Sequence, residues 1–110
     1  MSKYVIRFSY TPEAWADMIR NPSDRSAATR AVLEPVGGVL ECFYYTLGEG
    51  DGFVVVDVPD TAAAAAAAIA VTSTGSFRSV TTQELIEPAQ MVAVLGTAGQ
   101  AVGVYPRPGS

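Results

Sequence analysis

The chain has 110 residues, 49% of them hydrophobic, and a formal net charge of −4. This length suits one domain, and the acidic balance, with its seven scattered basic residues, argues against nucleic acid or a membrane surface as a partner. Because histidine is absent and Cys42 is the single cysteine, zinc, haem and Ser-His-Asp chemistry are disfavoured, and neither a metal nor a cofactor is expected.

The sequence predicts neither a targeting segment nor a membrane span. Ser2 and Lys3 lead directly into YVIRFSY, which is too short and too polar for a signal peptide. No apolar run reaches the length that a bilayer requires. The expected location is therefore the cytoplasm.

The first part of the chain predicts a strand followed by two helices. Aromatic and aliphatic residues recur at every second position of the first strand: Tyr4, Ile6, Phe8 and Tyr10. Thr11 as N-cap and Pro12 at the first helical position predict a short helix that ends before Asn21. Asn21-Pro22 is expected to start a second helix, which Pro35 frays before Gly37-Gly38.

The middle of the chain predicts a β-hairpin over residues 39–47 and 53–58. Gly48, Gly50 and Gly52 are expected to supply the positive φ angles of its loop. Both strands are apolar at successive positions, whereas a strand with one solvated face alternates with polar residues. Both faces of the sheet are therefore expected to be covered, one by helices and the other by a second subunit.

The last part predicts a helix over residues 61–71, a strand over 77–86 and a short helix over 88–95. Seven consecutive alanines in the first of these helices allow two interpretations. Alanine lets the helix lie close to the sheet, or its uncharged outer face contacts another subunit. Residues 96–110 are expected to form a flexible tail.

The predicted element order is βαββαβ, which is the ferredoxin-like α+β plan with an antiparallel sheet and an extra C-terminal helix. Residues 1–95 would form the domain and residues 96–110 the tail. One sheet face would stay open in such a domain. Pairing of two open faces would give a homodimer of the dimeric α+β barrel type.

Four stretches of the chain resemble the GYD-domain family. The matching stretches are KYVIRFSYTPEAW, NPSDR, GGVLECFYYTLGEGDG and VTSTGSFRSVTT, which span residues 3 to about 95. The family's Gly-Tyr-Asp signature falls at the hairpin turn, where this chain has Glu49-Gly50-Asp51 and so departs from the pattern at Gly50. The resemblance implies the fold and a dimer but no particular reaction. Relatives by fold include cofactor-free monooxygenases, isomerases and stress-response proteins.

Two polar groupings are candidate sites. Glu49 and Asp51 in the hairpin loop could act as acid and base, or the loop, with Gly48 and Asp51 as its signature residues, is only a turn. Arg7 on the first strand either forms an intersubunit salt bridge with Glu41 or Asp57 or binds an anion. Residues expected near Arg7 are Ser9, Cys42, Tyr44, Tyr45 and Thr81. Which tyrosine shares its face depends on the strand register.

A third candidate is a pocket between the sheet and the helices. Its expected lining is Tyr10, Trp15, Tyr44 and Phe77, with Arg25, Ser73 and Thr74 near the mouth. An apolar lining with a few polar groups is typical of small-molecule sites, although the same residues could form an ordinary core. Cys42 lies in an apolar strand, and we interpret it as an inert thiol rather than a nucleophile.

Two functional hypotheses follow, and they leave open whether the chain is an enzyme. In the first, a dimeric α+β barrel binds or transforms a small hydrophobic or aromatic molecule without a cofactor. Tyr44 and Glu49 would transfer protons, and Arg7 or Arg25 would hold an anionic intermediate. In the second, a non-catalytic assembly or accessory protein uses its alanine-rich helix or C-terminal tail for subunit contacts, in a homodimer or a higher oligomer.

Overall fold

A computed structural model describes residues 1–109, which contain four strands and four α-helices. The elements follow in the order β1 (Ser2–Tyr10), α1 (Pro12–Arg20), α2 (Ser26–Leu33), β2 (Val39–Tyr45), β3 (Gly52–Val58), α3 (Thr61–Thr72), β4 (Phe77–Leu85) and α4 (Pro88–Val102). A single 3-10 turn at Glu34–Val36 continues α2. It contains Pro35 and ends at Gly37, whose φ of 73° is left-handed, so the predicted fraying of this helix is confirmed.

The four strands form one antiparallel sheet in the order β2-β3-β1-β4. The central strands are β1, the first strand of the βαββαβ unit, and β3, the second strand of its hairpin. The edge strands are β2 and β4, which is the ferredoxin-like arrangement. The predicted fold class is therefore confirmed. Pairing with a second copy stays a prediction.

One face of the sheet carries the core. The alternation in β1 predicts its inward side chains correctly, because Tyr4, Ile6, Phe8 and Tyr10 are all buried beneath the helices. The remaining core residues come from β3, α2 and α3: Val54, Val56, Val58, Leu33, Ala64 and Ala67. The helices that cover the core pack on one side of the sheet only, and we call the opposite side the open face. It carries Arg7, Phe53, Val55 and Thr81.

A β-bulge in β2 decides which tyrosine faces the core. Leu40 pairs with Val56 and Cys42 pairs with Val55, so Glu41 is the extra residue. The alternation shifts by one position beyond it. As a result Tyr45 lies on the helix side of the sheet, and Tyr44 lies on the open face.

The start of α2 differs from its predicted position. Helix α1 begins and ends as predicted, with Thr11 Oγ1 accepting from Ala14 N at 3.2 Å and Asn21 at its C-cap. Residues 22–24 do not form the first turn of α2, which begins only at Ser26. Asp24 instead accepts the backbone N–H of Ser26 at 2.9 Å, an Asx-type turn that replaces the helical turn expected after Pro22.

Helix α3 presents alanines to the core, as the close-packing interpretation expects. Asp60 caps the helix by accepting from Ala63 N at 2.9 Å. Ala64 is 1% exposed and Ala67 4% exposed, both against the sheet. Contact of the outer face of α3 with another subunit stays a prediction.

Helix α4 is about twice as long as predicted, because it continues through Gly96 and Gly99 to Val102. Glycine costs a helix about 1 kcal/mol but does not by itself end one, and neither residue has a left-handed φ. Residues 96–102, which were expected to belong to an extended tail, are thus helical. No residue of α4 is buried, and the chain with this helix is elongated, with a longest dimension of 61 Å.

Across residues 1–109, no helix combines the length and the apolar character needed to cross a bilayer. The cytoplasmic location stays a prediction.

Candidate functional site

The hairpin loop is tied to the first strand by Asp51. Its Oδ2 atom accepts the backbone N–H of Tyr10 at 2.8 Å and the indole N–H of Trp15 at 3.3 Å. Its own backbone N–H donates to the Phe8 carbonyl at 2.9 Å. Asp51 therefore joins the loop, the end of β1 and the start of α1, which gives it a structural role at this end of the sheet.

Glu49 does not share this arrangement, although it lies only two residues away. Its side chain is exposed and borders a hollow on the open face. The structure therefore separates the two carboxylates that could have formed an acid and base pair. Among residues 1–109, no group of three or more acidic or sulfur side chains could hold a metal ion.

The loop glycines serve two different purposes. Gly48 and Gly50 have φ of 110° and 76°, so their predicted left-handed conformations are confirmed. Gly52 is not left-handed, and that prediction is wrong. A Cβ at this position would lie 2.6 Å from the Phe8 ring and 2.8 Å from the Tyr44 carbonyl, so close approach is what requires glycine.

An aromatic cluster extends from the core to the end of the sheet. Tyr10 is at its centre: its ring stacks on Phe77 at 5.0 Å and meets Trp15 edge-on, also at 5.0 Å. The other members are Phe8, Phe43 and Tyr45. Tyr45 takes the position expected for Tyr44, which lies on the open face 5.8 Å from the Phe53 ring. The bulge at Glu41 causes this exchange.

A cleft of about 470 Å³ opens beside this cluster, where α1, α2 and the C-terminal end of α3 converge. Tyr10 and Phe77 form its floor, and Arg25 and Thr74 lie at its rim, as the sequence predicts for all four. Trp15 and Ser73 do not line it. The remaining lining residues are Ala14, Asp17, Met18, Asn21, Ser23, Ala28, Thr29, Val32, Ala70, Val71 and Ser76.

A smaller apolar cavity of about 60 Å³ lies deeper, between the sheet and helices α2 and α3. It shares Tyr10, Phe77 and Val71 with the cleft, so the two spaces adjoin. Ala67 and Ala68 border it from α3. Side chains no larger than a methyl group leave this space unfilled, and the short side chains of the helix thus shape the site.

The charged groups of the cleft are few. Burial raises the pKa of the Tyr10 phenol, and a long 3.5 Å hydrogen bond with the Tyr45 hydroxyl acts in the same direction, while the Arg25 guanidinium opposes both. Tyr10 is therefore a neutral donor at physiological pH. Asp17 forms an ion pair with Arg20, whereas Arg25 has no ion-pair partner within residues 1–109.

The two proposed proton-transfer residues lie away from the cleft. Tyr44 is 61% exposed on the open face, and Glu49 is in the hairpin loop. Arg7 shares the open face with Tyr44, since it pairs with Phe53, the register partner of Tyr44. The structure thus divides the sequence-predicted residues between opposite faces of the sheet.

The carboxylates expected to meet Arg7 are engaged by another cation within the chain. Lys3 forms ion pairs with both Glu41 and Asp57, and the hydrogen bonds to these carboxylates raise the pKa of Lys3. Sequence reasoning missed Lys3, although its place on β1 beside Asp57 follows once the register is known. An intersubunit pair of Arg7 with these residues stays a prediction.

Fold and site together define a ferredoxin-like α+β protein with a cleft between its sheet and its helices. The chain belongs to the GYD-domain family, because the model of the GYD domain matches residues 4–95. A search of curated proteins finds no match. The matched segment includes the sheet from Tyr4 onward and all the residues that line the cleft, and it ends within α4.

Proposed function

We propose that this GYD-domain protein binds a small molecule with an aromatic or apolar body and one anionic group in the cleft between its sheet and its helices. The stacked rings of Tyr10 and Phe77 on the cleft floor carry this proposal. Aromatic faces bind flat apolar ligands through offset or edge contacts. The volume of about 470 Å³ lies within the range of small-molecule sites, about 300 to 1,000 Å³.

Arg25 is the residue that leads us to propose an anionic group on the ligand. Its guanidinium is exposed at the rim and free of ion pairs within residues 1–109. Arginine binds carboxylate, sulfonate and phosphate groups through two parallel hydrogen bonds. A ligand that lies on Tyr10 and Phe77 would place its acidic group toward Arg25.

The inner cavity indicates that the ligand is more apolar at its buried end. Its walls are mostly aliphatic and aromatic side chains, which come from all four strands and from α2 and α3. At about 60 Å³ it holds no more than a small group, such as a methyl or ethyl substituent. Such a group would displace no well-bound water, because the walls offer little for water to bond.

We propose binding rather than proton transfer as the role of the cleft. Its described lining contains one carboxylate, Asp17, which Arg20 engages. Tyr10 keeps its proton because burial raises its pKa. The phenol therefore donates a hydrogen bond to a ligand oxygen, and general-base catalysis by Tyr44 or Glu49 would require a second site on the open face.

Two matched fluorescent probes test the proposal. Anilinonaphthalene sulfonate is an aromatic anion, and phenylnaphthylamine has the same ring system without the sulfonate. We expect saturable binding of both to the wild-type chain. Ala70→Trp should obstruct the cleft and abolish binding, whereas Ala66→Trp places the same ring on the exposed side of α3, outside the cleft, and should not.

The charge of the ligand is tested separately. Arg25→Gln should weaken the sulfonate probe by about tenfold while leaving the neutral probe unchanged, since a charge-assisted hydrogen bond contributes about 1.5 kcal/mol. Arg30→Gln removes a charge from α2 outside the cleft and is the control. Equal binding to Ala70→Trp and Ala66→Trp would contradict the proposal.

A second function, self-assembly, has its own supporting observations. On the open face, Asp57 Oδ1 is buried and has no hydrogen-bond partner within residues 1–109. Helix α4 contains no charged residue, and its Val92, Leu95 and Val102 side chains are 71%, 62% and 76% exposed. We propose that a second copy of the chain covers these surfaces in a homodimer, or in a higher oligomer if both are used.

Sedimentation of three glutamate variants tests self-assembly. Tyr44→Glu should dissociate a dimer that uses the open face, and Leu95→Glu one that uses α4. Leu47→Glu is the control, because Leu47 is 103% exposed at the hairpin loop. Deletion of residues 97–110 should weaken assembly only if α4 takes part. A monomeric wild-type chain would contradict this function without affecting the first.

A further inference from the structure

We infer that the open face binds a small oxyanion, a carboxylate or a phosphate group, in a hollow between Arg7 and Arg78. The hollow has a volume of about 570 Å³ and is lined by both guanidinium side chains and by the hydroxyl residues Ser9, Ser79 and Thr81. It lies on the side of the sheet opposite the cleft, so its ligand is a different molecule or group from the proposed cleft ligand.

Strand register brings these groups together. On β1 and β4, Arg7 pairs with Thr81 and Ser9 pairs with Ser79. Facing residues of neighbouring strands have side chains about 5 Å apart. All four side chains therefore point from the same face of the sheet into the same hollow.

A second β-bulge adds the other arginine. The register shifts between Ser9 and Tyr10, where Ser9 pairs with Ser79 and Tyr10 with Phe77. Arg78 is the extra residue of β4 at this point. Bulges commonly redirect a side chain at the end of a sheet, and here the bulge allows Arg78 to line the open-face hollow although its neighbour Phe77 lies on the cleft floor.

Both arginines of the hollow, and Ser9, lack side-chain partners within residues 1–109. Neither Arg7 nor Arg78 forms an ion pair in the part of the chain that the structure describes. Ser9 is only 6% exposed and is the one polar residue of the buried set within that part. Its hydroxyl lines the hollow without a side-chain hydrogen bond to residues 1–109. The hydroxyl is therefore free to donate a hydrogen bond to a ligand oxygen.

The charge of the hollow favours one anionic group. Glu49 also borders it, so two guanidinium groups face one carboxylate. This local excess of positive charge stands out in a chain whose net charge is −4. Guanidinium groups bind the oxygens of carboxylates and phosphates through pairs of hydrogen bonds, and the hydroxyls of Ser9 and Thr81 can donate to the remaining oxygens.

The experiment compares thermal unfolding of the full chain in phosphate and in chloride at equal ionic strength. We expect phosphate to raise the unfolding midpoint of the wild type. Arg7→Gln and Arg78→Gln should each lose most of this rise, while Arg30→Gln, a charge removed from exposed α2, should keep it. Acetate is the second probe. A rise with both anions indicates a general oxyanion site, and a rise with phosphate alone indicates a phosphate site.

Chemical shifts provide a second measurement that does not depend on stability. Phosphate should move the backbone amide signals of Ser79 and Thr81 in a saturable way in the wild type and not in Arg78→Gln. Equal midpoint shifts in all four proteins, or shifts that never saturate, would overturn the inference. Dissociation of a dimer by Arg7→Gln, with no phosphate effect on the wild type, would also overturn it and would assign Arg7 to an intersubunit ion pair.

Discussion

Asp51 and Tyr10 are joined by a hydrogen bond of 2.8 Å from the Tyr10 backbone N–H to the Asp51 carboxylate. The same carboxylate oxygen accepts from the Trp15 indole at 3.3 Å. Asp51 thus holds the strand end that carries the cleft floor. Through Asp51, the loop between β2 and β3 is hydrogen-bonded to the end of β1 and to the first turn of α1.

Replacing Asp51 should destabilise the domain. In Asp51→Ala the backbone N–H of Tyr10, a residue only 5% exposed, loses its acceptor, which costs about 1 to 3 kcal/mol. Asp51→Asn keeps an amide oxygen and should cost less. Urea unfolding measures both, and the fluorescence of Trp15, the one tryptophan of the chain, reports the lost indole bond.

The matched control for Asp51 is Glu49→Ala. Glu49 is exposed in the same loop, and surface changes of this kind usually fall within about 0.5 kcal/mol. A loss at Glu49 as large as that at Asp51 would show that the loop responds to its total charge and not to this particular bond.

Gly52→Ala should destabilise the chain through overpacking. The added Cβ would lie 2.6 Å from the Phe8 ring and 2.8 Å from the Tyr44 backbone carbonyl, and the carbonyl cannot move without distorting the β2-β3 pairing. We expect a loss of about 1 to 3 kcal/mol in urea unfolding. Gly99→Ala is the control, because no atom lies within 4 Å of its added Cβ.

The control variant Gly99→Ala should itself be slightly more stable than the wild type. Alanine in place of glycine within a helix adds about 0.5 to 1 kcal/mol of stability when the side chain has room. A destabilised Gly99→Ala chain would mean that α4 is packed closely against another copy, which sedimentation of the same variant would reveal.

Replacing Gly50, where the resemblance leads us to expect a tyrosine, should also weaken the fold. Gly50 has φ of 76°, where a residue with a Cβ costs about 1 to 2 kcal/mol. We expect Gly50→Tyr to lose about that amount in urea unfolding. Gly50→Asn is the comparison, because asparagine tolerates the left-handed region better. A fully stable Gly50→Tyr chain would mean that the loop has a second conformation that accommodates an aromatic side chain.

Much of this architecture follows from local sequence signals. Thr11-Pro12 and Asp60 mark helix starts by chemistry that acts within a few residues, and the alternation from Tyr4 to Tyr10 identifies the core face of β1. The bulge at Glu41 has no comparable local signal. It depends on how β2 meets β3, and it alone decides that Tyr45 rather than Tyr44 joins the aromatic cluster.

The same distinction explains the site. Tyr10, Phe77, Arg25 and Thr74 could be predicted at the cleft because each lies at an element end that the βαββαβ plan brings together. The tie from Asp51 to Tyr10 spans 41 positions of the sequence, and Lys3 meets Asp57 only through the register of β1 and β3. Such contacts depend on the assembled sheet, and no local pattern encodes them.

The pH dependence of stability should report the buried phenol of Tyr10. Burial raises its pKa, so above the unfolded value of about 10 the folded chain keeps a proton that the unfolded chain has lost. The contribution of Tyr10 to the free energy of unfolding is therefore fully present below about pH 10, and it decreases as pH rises further. At a pH of about 10.5 the loss attributable to Tyr10 is expected to be about 1 kcal/mol.

Urea unfolding of the wild type and of Tyr10→Phe, at a pH of about 8 and again at about 10.5, isolates this contribution. Lys3 also has a raised pKa and loses stabilisation in the same alkaline direction, but it does so equally in both proteins. The wild type should therefore lose more stability than Tyr10→Phe over this interval. An equal loss in the two proteins would mean that the phenol reaches solvent, and the cleft floor would then be more open than the structure shows.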